Sequence, residues 1–127
     1  MKGLKALVLF TLLWAPAALS EGITGFWKHE SEPGWIEIRF EEGVGTGTVL
    51  RNDKFPERVG TEILKDILAD GNGKWEAKVY AARAEEYRDA RLHQSVPDVM
   101  EIEVKVGFIT RTLKWVRVAE VPAAPQP

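Results

Sequence analysis

The residues of this chain that carry chemically reactive groups are few, and their spacing does not bring them together. His29 and His93 lie far apart in the sequence, and cysteine is absent. Zinc sites combine three or four His, Cys or carboxylate ligands, usually with two ligands close together in the chain. Because neither histidine lies in such a pattern, the sequence predicts no metal site, no thiol chemistry and no cofactor.

Nucleophilic and acid–base catalysis have no clearer support. Ser31 and Ser95 lack the glycine-flanked turn of a nucleophile elbow. The acidic pairs at 41–42 and 85–86 are adjacent in sequence, and adjacent residues of a strand point to opposite faces, so we interpret them as exposed turn residues. The segment GVGTG (43–47) lacks the following helix with Lys-Ser/Thr that a phosphate loop needs. No catalytic residue is predicted, and a non-enzymatic role is favoured.

The aromatic residues point to packing or to binding. Bulky side chains fill the axis of a small β-protein, which is the simplest role for Trp27, Trp75 and Trp115. A sharper hypothesis places Trp75, Tyr80 and Tyr87 at the mouth of a cavity, where they would stack on a small apolar or aromatic ligand.

A second candidate surface combines one tryptophan with a long loop. Trp35 falls on the polar phase of its segment, so we expect it to be exposed and to form an interaction surface. The loop RNDKFPERVG (51–60) carries Asn52, Asp53 and Arg58, which could bind a polar group of a ligand or partner. The alternative is a capping turn in which Asp53 accepts hydrogen bonds from backbone amides.

Short strands must position these residues. Alternation of apolar and polar residues predicts strands in GWIEIRFEE, GVGTGTVLR, KWEAKVYAA, VMEIEVKV and ITRTLKWVRV. DGNG (70–73) predicts a hairpin turn. Residues 61–69 fit a strand better than a helix, whereas 81–92 has helical propensity that tertiary context can override. Up to eight strands without βαβ spacing indicate a small all-β antiparallel barrel or sandwich.

The two ends of the chain differ from this middle. Residues 1–20 combine a basic start, a short apolar run and a small-residue cleavage site, which predicts a signal peptide and not a membrane-spanning helix. Its loss would change the net charge from −2 to −4, because Lys2 and Lys5 leave with it. The charges are interspersed, so nucleic acid is not an expected partner. Residues 121–127 (VPAAPQP) predict a disordered Pro/Ala tail, which leaves 21–120 as one domain.

A Gly-x-Trp at the first strand and an arginine on the last strand resemble the calycin superfamily of lipocalin-like barrels. The residues concerned are Gly25, Trp27 and Arg117. The resemblance implies an eight-stranded antiparallel up-and-down barrel in which the arginine packs over the indole and closes one end. A guanidinium over an indole contributes roughly 0.5–2 kcal/mol, and glycine lets two backbones approach closely.

The order of motifs is also similar to the DUF2147 family of uncharacterised exported bacterial proteins. The matching segments are GFW (25–27), WIEIRF (35–40), GTVL (47–50), NDKFPERVGTEIL (52–64), GKWEAKVY (73–80), EEYRDARL (85–92) and KWVRV (114–118). The chain departs from the family at YAARAEEY (80–87), which lacks the usual Asp-Pro and glycine of that turn. The resemblance implies an exported, periplasmic or secreted protein.

We therefore expect a monomeric, exported, lipocalin-like barrel that binds a small, partly apolar ligand at its mouth. This expectation rests on analogy of fold. The alternative is a periplasmic protein–protein interaction or envelope-stress module whose barrel core is filled.

Overall fold

The computed structural model describes residues 22–124, which form eight antiparallel strands joined mostly by short turns. The strands are β1 (Gly25–His29), β2 (Gly34–Glu41), β3 (Val44–Asn52), β4 (Glu62–Ala69), β5 (Lys74–Ala81), β6 (Glu86–Val96), β7 (Val99–Val106) and β8 (Ile109–Val118). A single 3₁₀ turn, Pro56–Arg58, lies between β3 and β4. Each strand pairs with the next and β8 pairs with β1, so the sheet is a closed up-and-down barrel. The predicted fold is confirmed.

The two segments of ambiguous propensity are both strands. Residues 62–69 form β4, as preferred from the sequence, and residues 86–96 form β6 after a turn at 82–85. In β6 the residues Ala90 and Leu92 are buried while their neighbours Asp89 and Arg91 are exposed. Burial of one face and pairing on both sides therefore override the helical propensity of this segment.

The interior of the barrel is filled by apolar side chains. Eight strands enclose a space just wide enough for side chains, and alternation along every strand supplies them. Phe40, Ile63 and Leu113 are partly buried and pack against this core. The core consists of Ile23, Trp27, Ile36, Ile38, Val49, Leu64, Ile67, Trp75, Ala77, Val79, Ala90, Leu92, Met100, Ile102, Val104 and Trp115.

One end of the barrel, which we call the closed end, is covered by residues 22–24 before β1. Trp27 is fully buried there, and its Nε1 donates a hydrogen bond of 2.9 Å to the carbonyl of Ile23. The guanidinium carbon of Arg117 lies 4.5 Å from the centre of the indole of Trp27, its register partner on β1. The contact between Trp27 and Arg117 expected from the sequence is present, and it joins the first strand to the last.

Within residues 22–124, no helix has the length and apolar character needed to cross a bilayer. The predicted signal peptide, residues 1–20, and the end of the predicted tail, residues 125–127, lie outside the described residues.

Candidate functional site

The predicted aromatic mouth is not assembled. Trp75 lies in the core with its face toward the interior, whereas Tyr80 lies on the opposite face of β5. Tyr80 and Tyr87 are register partners whose rings meet edge to face on the outside, with centroids 5.2 Å apart. The Tyr87 hydroxyl donates to the carbonyl of Glu62. The grouping was wrong because residues 75 and 80 are separated by an odd number and must face opposite sides of a strand.

The loop from 51 to 60 satisfies its own polar groups. The Oδ1 atom of Asn52 accepts hydrogen bonds from the backbone amides of Lys54 and Phe55, at 3.1 and 2.7 Å. The guanidinium of Arg58 lies 3.9 Å from the centre of the Phe55 ring. The capping alternative thus describes this loop, although Asn52 and not Asp53 is the residue that caps it.

Arg51, which no sequence motif indicated, connects this loop to the rest of the barrel. Its guanidinium binds both carboxylate oxygens of Asp53 at 2.8 Å, and this hydrogen-bonded pair lowers the pKa of Asp53. The Asp53 carboxylate therefore already has a partner.

Trp35 is not the exposed contact residue that its polar phase suggested. It does lie on the outer face of β2, but only 7 % of its surface is exposed. The guanidinium of Arg51 stacks on it at 4.4 Å, and the ammonium of Lys28 lies 5.4 Å from its ring centre. The expectation of an open surface at Trp35 was wrong because its register partners, Lys28 and Arg51, have long side chains that cover its outward-facing ring.

The described part of the predicted tail is bound to the barrel. Nη1 of Arg51 donates hydrogen bonds of 2.9 Å to the carbonyls of Pro122 and Ala123. Residues 121–124 line a groove of about 600 Å³ together with Leu50 and Val59. The carbonyls of Pro122 and Ala123 thus accept from a guanidinium that also contacts Asp53 and Trp35. The disordered tail predicted for 121–127 stays a prediction.

The opposite end of the barrel, which we call the open end, carries an arginine on the interior face. Arg88 pairs with the core residue Val79 and shares its phase with Ala90 and Leu92. Its Nη2 lies 3.2 Å from a carboxylate oxygen of Glu86, whereas its Nε is buried and has no hydrogen-bond partner in the described part of the chain. Gln94 of the same strand binds the carbonyl of Gly22 at the closed end. Six residues of strand span about 20 Å, which places Arg88 at the far end of the barrel.

A second interior donor lies beside a histidine. The Nε1 atom of Trp115 is buried without a partner among the described residues, as is that of Trp75. His29 meets Trp115 edge to face, with ring centroids 5.0 Å apart. Its Nδ1 accepts hydrogen bonds of 3.1 Å from the amides of Ser31 and Glu32. Partial burial lowers the pKa of His29 below its usual 6.5, against the opposing charge of Glu32.

A larger groove runs over the outer face of the sheet. It measures about 990 Å³, and its charged lining residues alternate in sign across neighbouring strands. Lys78 and Asp89 form an ion pair there. The charged lining includes Glu76, Lys78, Asp89, Arg91, Glu103 and Lys105.

No group of three or more histidine and carboxylate side chains suited to a metal ion occurs between residues 22 and 124. His93 is exposed on the outer face of β6 and lies away from His29 on β1. The geometry of the described residues thus offers hydrogen-bond donors and apolar surface for binding.

Comparison with known proteins identifies a solved structure with the same architecture. Protein HP1028 from the human pathogen Helicobacter pylori, described as belonging to the lipocalin family, superposes with a TM-score of 0.57. The alignment covers 76 % of this chain and 83 % of that protein at 15 % sequence identity. This chain has a lipocalin-like fold.

No family model matches the sequence, and no curated protein matches it. The lipocalin-like architecture is thus supported by structure, whereas the resemblance to the DUF2147 family stays a prediction.

Proposed function

We propose that this protein is a non-enzymatic binding protein that holds a small, partly apolar ligand at the open end of its barrel. The lipocalin-like fold suggests ligand binding, and the open end of such a barrel is where a ligand enters. The observation that carries the proposal is the buried Nε of Arg88, which faces the interior without a hydrogen-bond partner.

The chemistry of Arg88 indicates the class of ligand. A guanidinium presents a planar fork of donors that matches the two oxygens of a carboxylate, and a buried donor left unpaired costs about 1–3 kcal/mol. Val79, Val104 and Leu113 supply apolar surface on the interior faces of neighbouring strands. A ligand with an acidic head group and a short apolar body would satisfy both features.

The packed interior sets the depth of this site. Core side chains occupy the barrel from Trp27 at the closed end to Val79 and Val104 near the open end. A ligand would therefore lie across the mouth and not along the axis. The site would be shallow, and affinity would depend strongly on the head group.

Binding can be measured with a matched pair of ligands and a matched pair of variants. We expect decanoate, but not the neutral decanol, to change the tryptophan fluorescence of the protein. The Arg88→Gln substitution should weaken decanoate binding by tenfold or more, as expected for loss of a charge-assisted pair. Arg91→Gln removes the same charge from the outer face of the same strand and should have no effect. Equal losses in both variants, or no binding of decanoate by the native protein, would contradict the proposal.

A second candidate function is an interaction module with a filled barrel, favoured by the position of the 990 Å³ groove on the outer face. Alternating charges on this groove would select a protein partner of complementary pattern. Site-specific crosslinking from Arg91 in intact cells tests it, with Arg39 near the β2–β3 turn as the control position. A partner captured from Arg91 alone would favour this module, whereas identical crosslinks from both positions would exclude this groove.

The cellular location forms part of the same proposal. We infer that residues 1–20 are removed on export and that the protein acts as a monomer in the periplasm or outside the cell. The sequence features of a signal peptide support this inference. Intact mass of the protein recovered from the periplasmic fraction, together with light scattering, measures both. An unprocessed chain in the cytoplasm would contradict export.

A further inference from the structure

The tip of the hairpin of β7 and β8 is not paired with either neighbouring strand at the open end. The ladder between β6 and β7 reaches only the pair Ala90–Val104, and that between β8 and β1 reaches only His29–Trp115. One more backbone hydrogen bond, from Glu30 to Lys114, follows on the β1 side. Residues 105–111, which we call the hairpin tip, have no ladder partner outside the hairpin within the described chain.

The hairpin tip exposes apolar side chains. Phe108 is fully exposed, Ile109 is 66 % exposed and Val106 is 41 % exposed. Val106 and Ile109 are register partners, and Phe108 lies in the turn between them. Three adjacent exposed apolar side chains at an unpaired hairpin turn form a compact patch, and such a patch indicates a surface that becomes buried against something else.

The sequence around the patch carries only basic charges, although Lys105 also lines the outer groove together with Asp89 and Glu103. Residues 104–117 contain four basic residues and no acidic residue, in a chain whose net charge is −2. Lys105 and Arg111 flank the apolar turn, and neither forms an ion pair with the described residues. Glu103, the nearest acidic residue in sequence, pairs with Thr112, one same-face step further from the turn than the pair of Lys105 and Thr110.

We propose that the hairpin tip docks the protein onto an anionic lipid membrane. Phe108, with Val106 and Ile109, would enter the boundary between head groups and acyl chains, while Lys105 and Arg111 would contact acidic head groups. Apolar insertion combined with basic flanks is the combination that gives reversible adsorption to anionic bilayers. This inference does not depend on the proposed ligand, although Arg111, the register partner of Val104, lies on the same side of the sheet as the Arg88 site.

Co-sedimentation with vesicles tests the two components separately. The protein is used in its naturally processed form, with the same N terminus verified by mass in every variant. Vesicles contain phosphatidylcholine alone or phosphatidylcholine mixed with phosphatidylglycerol. Phe108→Ser should lower binding to the mixed vesicles by tenfold or more, because it removes the largest inserting side chain. Lys105→Gln with Arg111→Gln should lower it about 25-fold, at about fivefold for each basic residue near an anionic surface.

The controls carry the same changes elsewhere on the barrel. Leu68→Ser removes a half-exposed apolar side chain, and Arg39→Gln with Lys74→Gln removes two exposed charges near the closed end. These variants should bind mixed vesicles as the native protein does. Equal losses in control and tip variants, or no vesicle binding by the native protein, would overturn the proposal and leave a protein partner as the ligand of the tip.

A reporter substitution distinguishes insertion from simple electrostatic contact. Phe108→Trp places an indole at the tip, whereas Trp27, Trp75 and Trp115 are buried and Trp35 is covered. Its emission should shift to shorter wavelength on mixed vesicles. An unchanged emission maximum in the presence of bound vesicles would show that the tip does not enter the bilayer and would overturn insertion.

Discussion

The two ends of the barrel each present an arginine, and the two arginines have opposite environments. At the closed end, Arg117 donates to the carbonyls of Gly22, Thr24 and Pro97 at 2.6, 2.8 and 3.1 Å. The same guanidinium stacks on Trp27. At the open end, Arg88 has a single carboxylate partner, Glu86, and a buried Nε without one.

The difference lies in the backbone and not in the residue type. Residues 22–24 cross the closed end and direct carbonyl oxygens at Arg117. Among the described residues, no backbone carbonyl accepts a hydrogen bond from Arg88. The arginine at the closed end thus has satisfied hydrogen bonds, whereas the arginine at the open end keeps a buried donor without a partner.

The largest expected effect comes from removing the cation of the closed end. Arg117→Met keeps an apolar stem but leaves the Thr24 carbonyl without its side-chain donor and the Trp27 indole without its cation. The carbonyls of Gly22 and Pro97 lose one of two donors, since Gln94 also donates to both. We expect the free energy of unfolding to fall by about 3 kcal/mol, measured by urea denaturation. An unfolding free energy equal to that of the native protein would show that residues 22–24 cover the closed end without help from Arg117.

The backbone at the closed end is tested by a glycine pair. Gly25 has φ of 132°, and a Cβ there would lie 3.0 Å from Nη1 of Arg117. Gly43 has φ of 85° in an open turn, where a Cβ meets nothing within 4 Å. Gly43→Ala should cost about 1 kcal/mol of unfolding free energy from backbone strain alone, and Gly25→Ala about 2 kcal/mol because it also displaces Arg117. Equal losses would mean that the side chain of Arg117 moves aside freely.

The open end should respond in the opposite way. Arg88→Met removes the buried Nε that has no partner, together with the partly exposed ion pair to Glu86, and substitutes an apolar side chain of similar length. We expect the free energy of unfolding to stay within about 0.5 kcal/mol of the native value or to rise, because no satisfied hydrogen bond inside the barrel is lost. Urea denaturation beside Arg117→Met measures the contrast. A loss as large as that of Arg117→Met would assign Arg88 to structure and weaken its role in binding.

The contact between Trp27 and Arg117 at the closed end could be predicted from the sequence, whereas the position of Arg88 at the open end could not. Gly25, Trp27 and Arg117 belong to a pattern that links the first and last strands, so a local motif was enough to predict a long-range contact. Arg88 shares the inward phase of Ala90 and Leu92, and this signal could be recognised only once residues 86–96 were known to be a strand. Because residues 81–92 have helical propensity, the sequence did not indicate that Arg88 faces the interior.

The outer surface shows a second limit of sequence patterns. Polarity predicted the outward face of Trp35 correctly but not its burial, because burial there comes from Arg51 and Lys28 on neighbouring strands. The register that brings Arg51 beside Trp35 includes a β-bulge between Trp35 and Ile36. Alternation within one strand carries no information about such pairs, since cross-strand neighbours depend on register.

The last expected effect concerns pH at the junction of β1 and its following turn. The pKa of His29 in the folded protein is lowered below its unfolded value of 6.5, chiefly by burial. Its contribution to stability is therefore complete above pH 6.5 and is lost as the pH falls from that value through the folded pKa. Protonation would also turn Nδ1 into a donor facing the amides of Ser31 and Glu32.

Urea denaturation between pH 7.5 and 5 should show a shallower decline of unfolding free energy in His29→Gln than in the native protein. His93→Gln, exposed on β6, should follow the native curve, and a native slope that His29→Gln leaves unchanged would assign the acid sensitivity to carboxylates elsewhere.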